Sequence, residues 1–326
     1  MSSVAVAQPG ARWSPGRLSP RTAIGVGAVL VVLALVWAST RGAYAIAPAQ
    51  LWQVLLQAVG AAPSAEQAPE YLVFINIRLP RLLMGVAAGA GLGLAGALMQ
   101  GLFRNPLADP YLLGSASGAA LGVALALALF GTSPFATQWL VRLGLTSAAF
   151  AGAVLGVVLT LALAKGVQHT LRLLLAGVIV GVVLGAMRDL VELASPDILQ
   201  AMQAFTLGST AFVGWAACLL MAVAWTLCSL VAWMLARALD GLTLGEATAA
   251  SLGLPLMPMR VGLVAAMALA TGTAVAQTGL IAFVGLAAPH LVRSIVRVTH
   301  ERHIVLSSLM GAVLLMAADI LARWLL

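Results

Sequence analysis

The sequence predicts an all-α integral membrane protein, a polytopic helix bundle. Three observations predict it. Hydrophobic residues make up 62% of the 326-residue chain, against roughly 45–50% in soluble domains. Charged residues make up only 8%, against about 25%. The apolar residues also gather into runs close to the ~20 residues that a bilayer-spanning helix needs. A water-soluble core of this size would carry more surface charge, so the chain belongs in a bilayer.

Nine spans are read, at 22–40, 82–103, 112–130, 143–164, 171–191, 211–236, 260–278, 280–297 and 304–322. The first follows Arg12, Arg17 and Arg21 and precedes "AYAIA", a pattern that resembles a signal peptide. Its apolar run is nearer a spanning length than a signal core of about 7–15 residues. Residues 1–21 therefore read as a cytoplasmic tail and 22–326 as the membrane domain. Between the first and second spans, 61–76 reads as an external loop carrying Glu66 and Glu70. The second and third spans flank "FRNPLADPYLLG". There Asn105–Pro106 stops a helix, because the residue before proline is pushed out of helical geometry. Asp109 then serves as N-cap and Pro110 as first helical residue of the next. The stretch 237–259 is too punctuated by Gly and Pro to span, and predicts one or two short helices along the surface. The eighth span is short and holds Pro289, which predicts a kink or break.

Glycines recur every four residues at Gly85/Gly89/Gly93, Gly114/Gly118/Gly122 and Gly177/Gly181/Gly185. Such stripes let helix backbones approach closely in lipid and say nothing of a substrate. Orientation follows from the basic residues. With the N-terminus inside, Arg12, Arg17, Arg21, Arg104, Lys165, Arg172, Arg237, Arg260, Arg293, Arg297 and Arg302 lie inside. Arg41, Arg78, Arg81, Arg142, Arg188 and Arg323 lie outside. Eleven against six satisfies the positive-inside rule.

Several chemistries are excluded. The chain has a single lysine, Lys165 in "LALAKGVQ", and no phosphate-cradling loop ending in Gly-Lys-Ser/Thr. Any ATP-driven step needs another chain. The net charge of +7 comes from arginines spread singly, which gives no nucleic-acid patch. Cys218 and Cys228 lie about 15 Å apart on one helix, too far for a mutual disulfide, and read as small core residues. No metal-ligand cluster stands out. "HERH" (300–303) reads as a solvated loop. His290 reads as a buried, hydrogen-bonded imidazole at the Pro289 kink, with a gating role as the alternative. His169 and Thr170 read as a helix cap or an inner gate. The intramembrane charges come as spaced pairs, Arg188 with Glu192 and Asp319 with Arg323. No lone midplane carboxylate is visible, which weighs against an ion-coupled secondary transporter. No nucleophile and base stand together, which weighs against an intramembrane enzyme.

The stretch "RLPRLLMGVAAGAGLGLAGALMQGLFRNPLADPYLLGSASGAALG" (78–122) resembles the signature of the FecCD-type permeases. So, in order, do "LRLLLAGV" (171–178), "LTLGEATAASLGLP" (242–255), "GLIAFVGLAAPHLVR" (279–293) and "GAVLLMAADILAR" (311–323). These permeases are the membrane subunits of bacterial ABC importers for iron–siderophores, haem and vitamin B12. The resemblance implies a type II ABC importer permease architecture in the inner membrane. It implies a homodimer with an axial path, two ATP-binding subunits on the cytoplasmic face and a periplasmic substrate-binding protein outside. ATP and magnesium would sit on the partner, with no cofactor on this chain.

By the same resemblance, Arg78, Arg81 and Arg323 receive acidic residues of the binding protein. The segment 240–257 is the coupling segment, with Leu242, Gly245, Glu246, Ser251, Leu252 and Gly253 facing the ATPase. A carboxylate at Glu246 suits a helix start. The cytoplasmic gate falls at His169, Thr170 and Leu171, where this chain departs from the small hydroxyl residues of the cobalamin permeases. Asn105, Pro106, Asp109 and Pro110 form a turn on the same inner face. Family members have about ten spans, and this chain stops at "ARWLL", so it is expected to lack the final helix. The motifs serve packing, coupling and docking. They leave iron–siderophore, haem and cobalamin open, and an apolar path suits haem or cobalamin at least as well as a charged chelate.

Overall fold

The computed structural model describes residues 18–41, 45–58, 69–131, 139–167, 170–211 and 213–325. Helix α1 (Pro20–Thr40) starts on a built cap. Ser19 Oγ accepts from Thr22 N at 3.1 Å, and Pro20 takes the first turn, where it has no donor to lose. After α2 (Pro48–Ala58), the short α3 (Pro69–Val73) passes through one π-helical turn, Phe74–Arg78, into α4 (Leu79–Phe103). The wider turn accommodates Pro80, which offers no N–H and crowds the preceding turn. This corrects the loop expected at 61–76: its part from Pro69 onward is helix, and Glu66 lies outside the described residues.

Helix α4 is the hub. It packs on α9 (Trp215–Met234), α12 (Leu256–Thr278), α13 (Val284–Ile295) and α14 (His300–Leu325). Every residue from Ala87 to Phe103 is buried, as expected of a helix apolar on all sides. The glycines make the contact possible. A Cβ at Gly93 would lie 3.0 Å from the Ser307 carbonyl carbon, and one at Gly89 2.9 Å from that of Gly311. The same device joins α5 (Ser115–Phe130) to α6 (Trp139–Ala164), where a Cβ at Gly118 would lie 2.9 Å from the Gly152 carbonyl carbon. In α7 (Thr170–Ala194) only the first glycine of the expected stripe packs tightly. Gly177 meets Leu112, whereas nothing lies within 4 Å of a Cβ at Gly185. Gly114 continues the packing, since a Cβ at Gly156 would lie 3.0 Å from its carbonyl carbon, and it is also a left-handed cap at φ 79°.

Among the described residues, seven helices are long and apolar enough to cross a membrane. Three predicted spans resolve differently. The region 112–130 becomes a 3₁₀ turn, Pro110–Leu113, followed by the 16-residue α5. The region 280–297 shrinks to the 12-residue α13, and 211–236 becomes α9, beginning at Trp215. Pro289 lies inside α13 without ending it. The break falls earlier, at 279–283, between a left-handed Gly279 and a left-handed Phe283. Non-helical backbone inside a membrane protein must find partners within the protein. Here Leu280 N donates to Phe205 O at 3.0 Å, and Tyr111 Oη donates to Ile281 O at 3.1 Å. Phe205 belongs to α8 (Leu199–Leu207), a short helix the sequence reading did not anticipate. His290 is exposed, not buried at a kink.

Cys218 and Cys228 are buried free thiols, placed by contacts of Sγ with the Pro80 and Ala266 carbonyls at 2.8 and 3.2 Å. The helices alternate in direction, so the bundle has two ends about 37 Å apart along α4. One carries α10 (Ala236–Thr243) and α11 (Glu246–Ser251). The other carries Asp319.

Candidate functional site

At the first end, α10 is a sided helix. Ala236, Ala238, Leu239, Gly241 and Leu242 are buried against the bundle. Gly245 then turns the chain at φ 101°, a conformation that side chains resist. Helix α11 projects outward, with Ala249 its only buried residue. Of the residues expected to couple, Glu246, Ser251, Leu252 and Gly253 are exposed and Gly245 is half-buried. Leu242 is 2% exposed and anchors the pair inward. Leu244 and Leu252, each 63% exposed, stand on the free surface.

Polar contacts fasten this pair to the bundle. Glu246 Oε1 accepts from Arg260 Nη2 at 2.6 Å. Asp240 Oδ1 meets His300 Nδ1 at 2.7 Å and accepts from His300 N at 3.1 Å, so a residue of α10 caps the start of α14. His303 is buried beside Arg293, with Nε2 3.2 Å from Arg293 Nη1. Arg293 also donates to Gln100 Oε1, and Gln100 Nε2 donates to Leu286 O at 3.1 Å. "HERH" is thus a helix start built into the protein, not a solvated loop. Asp240 and Arg293 explain the difference, being 60 residues from His300 and 10 from His303. No metal-ligand group of three exists among the described residues.

The turn after α4 behaves as its residues dictate. Arg104 is left-handed at φ 50° and ends the helix. Asn105 Oδ1 accepts from Leu107 N at 2.9 Å, and Asp109 Oδ1 accepts from Tyr111 N at 2.8 Å. Burial pushes the Asp109 carboxyl above its ordinary value, and the Tyr111 N–H pulls it part of the way back. Pro106 is exposed, while Pro110 is buried against Gly285. Of the expected gate residues, Thr170 opens α7 half-buried and Leu171 is 70% exposed. His169 lies outside the described residues.

At the other end, the three arginines are held by the chain itself. Asp319 Oδ1 accepts from Arg81 Nη2 at 2.8 Å, from Arg81 Nε at 3.2 Å and from Thr210 Oγ1 at 3.1 Å. Arg323 Nη2 donates to Asp319 Oδ2, as the i,i+4 spacing predicts. Arg78 is buried and donates to Ser39 O at 2.6 Å, at the C-terminal end of α1 where carbonyls lack helical partners. Among the described residues, the cluster therefore carries three guanidinium groups and one carboxylate. On α7, Arg188 pairs with Glu192 at 3.1 Å, as expected, and with Asp189 at 2.6 Å. Sequence reasoning missed the links Arg81–Asp319, Asp240–His300 and Glu246–Arg260, because no local spacing connects residues on different helices.

A multi-helix membrane bundle with a projecting helix pair at one end and a guanidinium cluster at the other has the form of a transport permease. Residues 29–326 match the FecCD transport family. The chain belongs to that family. It is 34% identical over 313 residues to the hemin transport system permease protein of Yersinia pestis, covering 94% of this chain and 89% of that one. It is 37% identical over 266 residues to the vitamin B12 import system permease protein of Vibrio cholerae, covering 80% and 77%. A solved metal-chelate type ABC transporter in an inward-facing conformation superposes with a TM-score of 0.77 at 29% identity, covering 94% of this chain and 92% of that one.

Proposed function

We propose that the chain is the membrane subunit of an ATP-driven importer that carries a metal chelate from periplasm to cytoplasm. It works by alternating access as a homodimer in the inner membrane. The chelate is haem, cobalamin or an iron–siderophore, the classes named for the relatives. The observation that carries the reading is the α10–α11 pair. One helix is buried into the bundle and the next is exposed, a shape suited to an external motor and of no use to packing alone. Two ATP-binding subunits dock there, on the cytoplasmic side. A substrate-binding protein docks at the opposite end, where the surplus of guanidinium groups suits its carboxylates. The second copy covers the apolar outer face of α7, where Leu175 and Val182 are 56% and 67% exposed. Paired charges at Arg188–Glu192 and Arg81–Asp319 argue against an ion-coupled carrier.

The test is uptake by proteoliposomes holding the permease, its ATPase and its binding protein, with hemin, cobalamin and ferric enterobactin offered in parallel. ATP-dependent uptake of one is the expected result. Uptake of none, or uptake that survives ATP depletion, refutes the reading.

A further inference from the structure

Arg260 lies in the second turn of α12, and its side chain is 7% exposed. Its two terminal nitrogens reach different parts of the chain. Nη2 donates to Glu246 Oε1 at 2.6 Å, at the first residue of α11. Nη1 donates to Val167 O at 3.4 Å, in the connection between α6 and α7. The described part of that connection opens on a tight turn: Lys165 and Gly166 are both left-handed, at φ 56° and 97°. Val167 is 4% exposed and packs in the same apolar cluster as Leu173, Ala249 and Leu263. Three residues beyond Val167, the chain enters α7 at Thr170.

One planar fork thus joins the projecting helix, α12 and the connection that leads to the gate residues. Glu246 is about half exposed, with a side-chain exposure of 45%, on a helix that buries only Ala249. A partner that moves α11 moves Glu246. A buried guanidinium separated from its carboxylate is strongly disfavoured, so Arg260 follows. Its second contact then carries the displacement to Val167. We infer that Arg260 is the positioning residue that passes movement of the coupling helices to the α6–α7 connection and hence to the gate. The inference rests on the proposed ATP-driven function. A lysine cannot replace the fork, because an ammonium is a point charge without fixed geometry.

The experiment places a reporter at the gate, Leu171→Cys, in the complete complex of permease and ATPase. Both native cysteines are buried, at 6% and 1% exposure, so background labelling is low. The maleimide labelling rate is measured without nucleotide and after trapping with Mg-ATP and vanadate. In the Leu171→Cys background, trapping is expected to change the rate on the order of tenfold, within the range of ordinary coupling between sites. Adding Arg260→Gln or Arg260→Lys is expected to cut that change to about twofold or less while ATP hydrolysis continues. A merely structural role for Arg260 would not separate the two readouts. If Arg260→Gln does not assemble, Arg260→Lys decides. A full tenfold response in Arg260→Lys overturns the inference. A Leu171→Cys complex that neither hydrolyses ATP nor responds to it overturns the proposed function instead.

Discussion

Gly96 and Gly85 lie on the same helix, and the same substitution should have opposite effects at the two. A Cβ at Gly96 would stand 2.6 Å from the Gly285 carbonyl carbon. Carbon atoms pack at about 3.5–4.0 Å, so α13 would have to retreat by on the order of 1 Å. The obstacle is backbone and cannot rotate away. Retreat also stretches the Gln100 Nε2 bond to Leu286 O, now 3.1 Å. Overpacking costs about 1–3 kcal/mol and a lost hydrogen bond about 1 kcal/mol. Gly96→Ala should therefore destabilise by about 1–3 kcal/mol, after the helix-propensity gain of about 1 kcal/mol is subtracted. At Gly85 the nearest atom is Met316 Sδ at 3.0 Å, the flexible part of a side chain. Gly85→Ala should be neutral or stabilising. The assay is heat-induced loss of the monodisperse peak in detergent, read by size-exclusion chromatography. A Gly96→Ala midpoint equal to wild type, or a lower midpoint for Gly85→Ala than for Gly96→Ala, would refute the packing argument.

Asp319→Asn removes the charge shared by Arg81 and Arg323, whose side chains are 26% and 15% exposed against 9% for Asp319. The loss should be about 3 kcal/mol, near the lower bound for breaking a buried pair, and an unchanged melting midpoint would contradict it. Tyr111→Phe leaves the Ile281 carbonyl without its 3.1 Å donor at a cost of about 1 kcal/mol. Hydrogen exchange should quicken at 280–284 and not in α4. Asp240→Ala strips the cap from α14 and costs about 0.5–2 kcal/mol. Faster exchange confined to His300–His303 is expected, and exchange spread evenly along α14 would count against the cap. Arg104→Cys should react with a membrane-impermeant thiol reagent only from the cytoplasmic side. Labelling from outside would reverse the orientation.

The helices were legible because apolar length in a bilayer is a local property, and the run from Thr22 to Thr40 needs no partner to be recognised. The turn at Asn105–Pro110 was legible for the same reason: Asn105 and Asp109 bond to backbone two residues away. The eighth span was misread because its apolar composition conceals a backbone that leaves the helix at Gly279. That departure is stable only because Phe205 and Tyr111, 170 residues from Ile281 in the latter case, supply the missing partners. The α10–α11 pair was legible as short helices, yet not the inward turn of Leu242. The pair Arg323–Asp319 was legible from its i,i+4 spacing, while the grip of Arg81 on Asp319 and of Arg78 on Ser39 depends on contacts 238 and 39 residues apart.

The basic residues show how geometry sharpens a count. A tally of eleven against six treats every arginine as a group facing headgroups or water. Several are fasteners instead. Arg260 and Arg293 at one end, and Arg78, Arg81 and Arg323 at the other, turn their guanidinium groups onto protein acceptors. A charge held this way is in place through the fold and contributes little to choosing a side. Among the described residues, those left exposed at the α10–α11 end are Arg21, Arg104, Lys165, Arg172, Arg237, Arg297 and Arg302. At the Asp319 end, Arg41 is the one exposed among the described residues. Among the described residues, the asymmetry that acts on lipid is then seven to one. The positive-inside rule concerns loop charges near span ends, and these are the charges that fit its mechanism. The same sorting explains why Arg260 went unnoticed as a link: counted with the others, it was one more inside charge. What sets it apart is a buried position in the second turn of α12, with a carboxylate on one side of its fork and a carbonyl on the other.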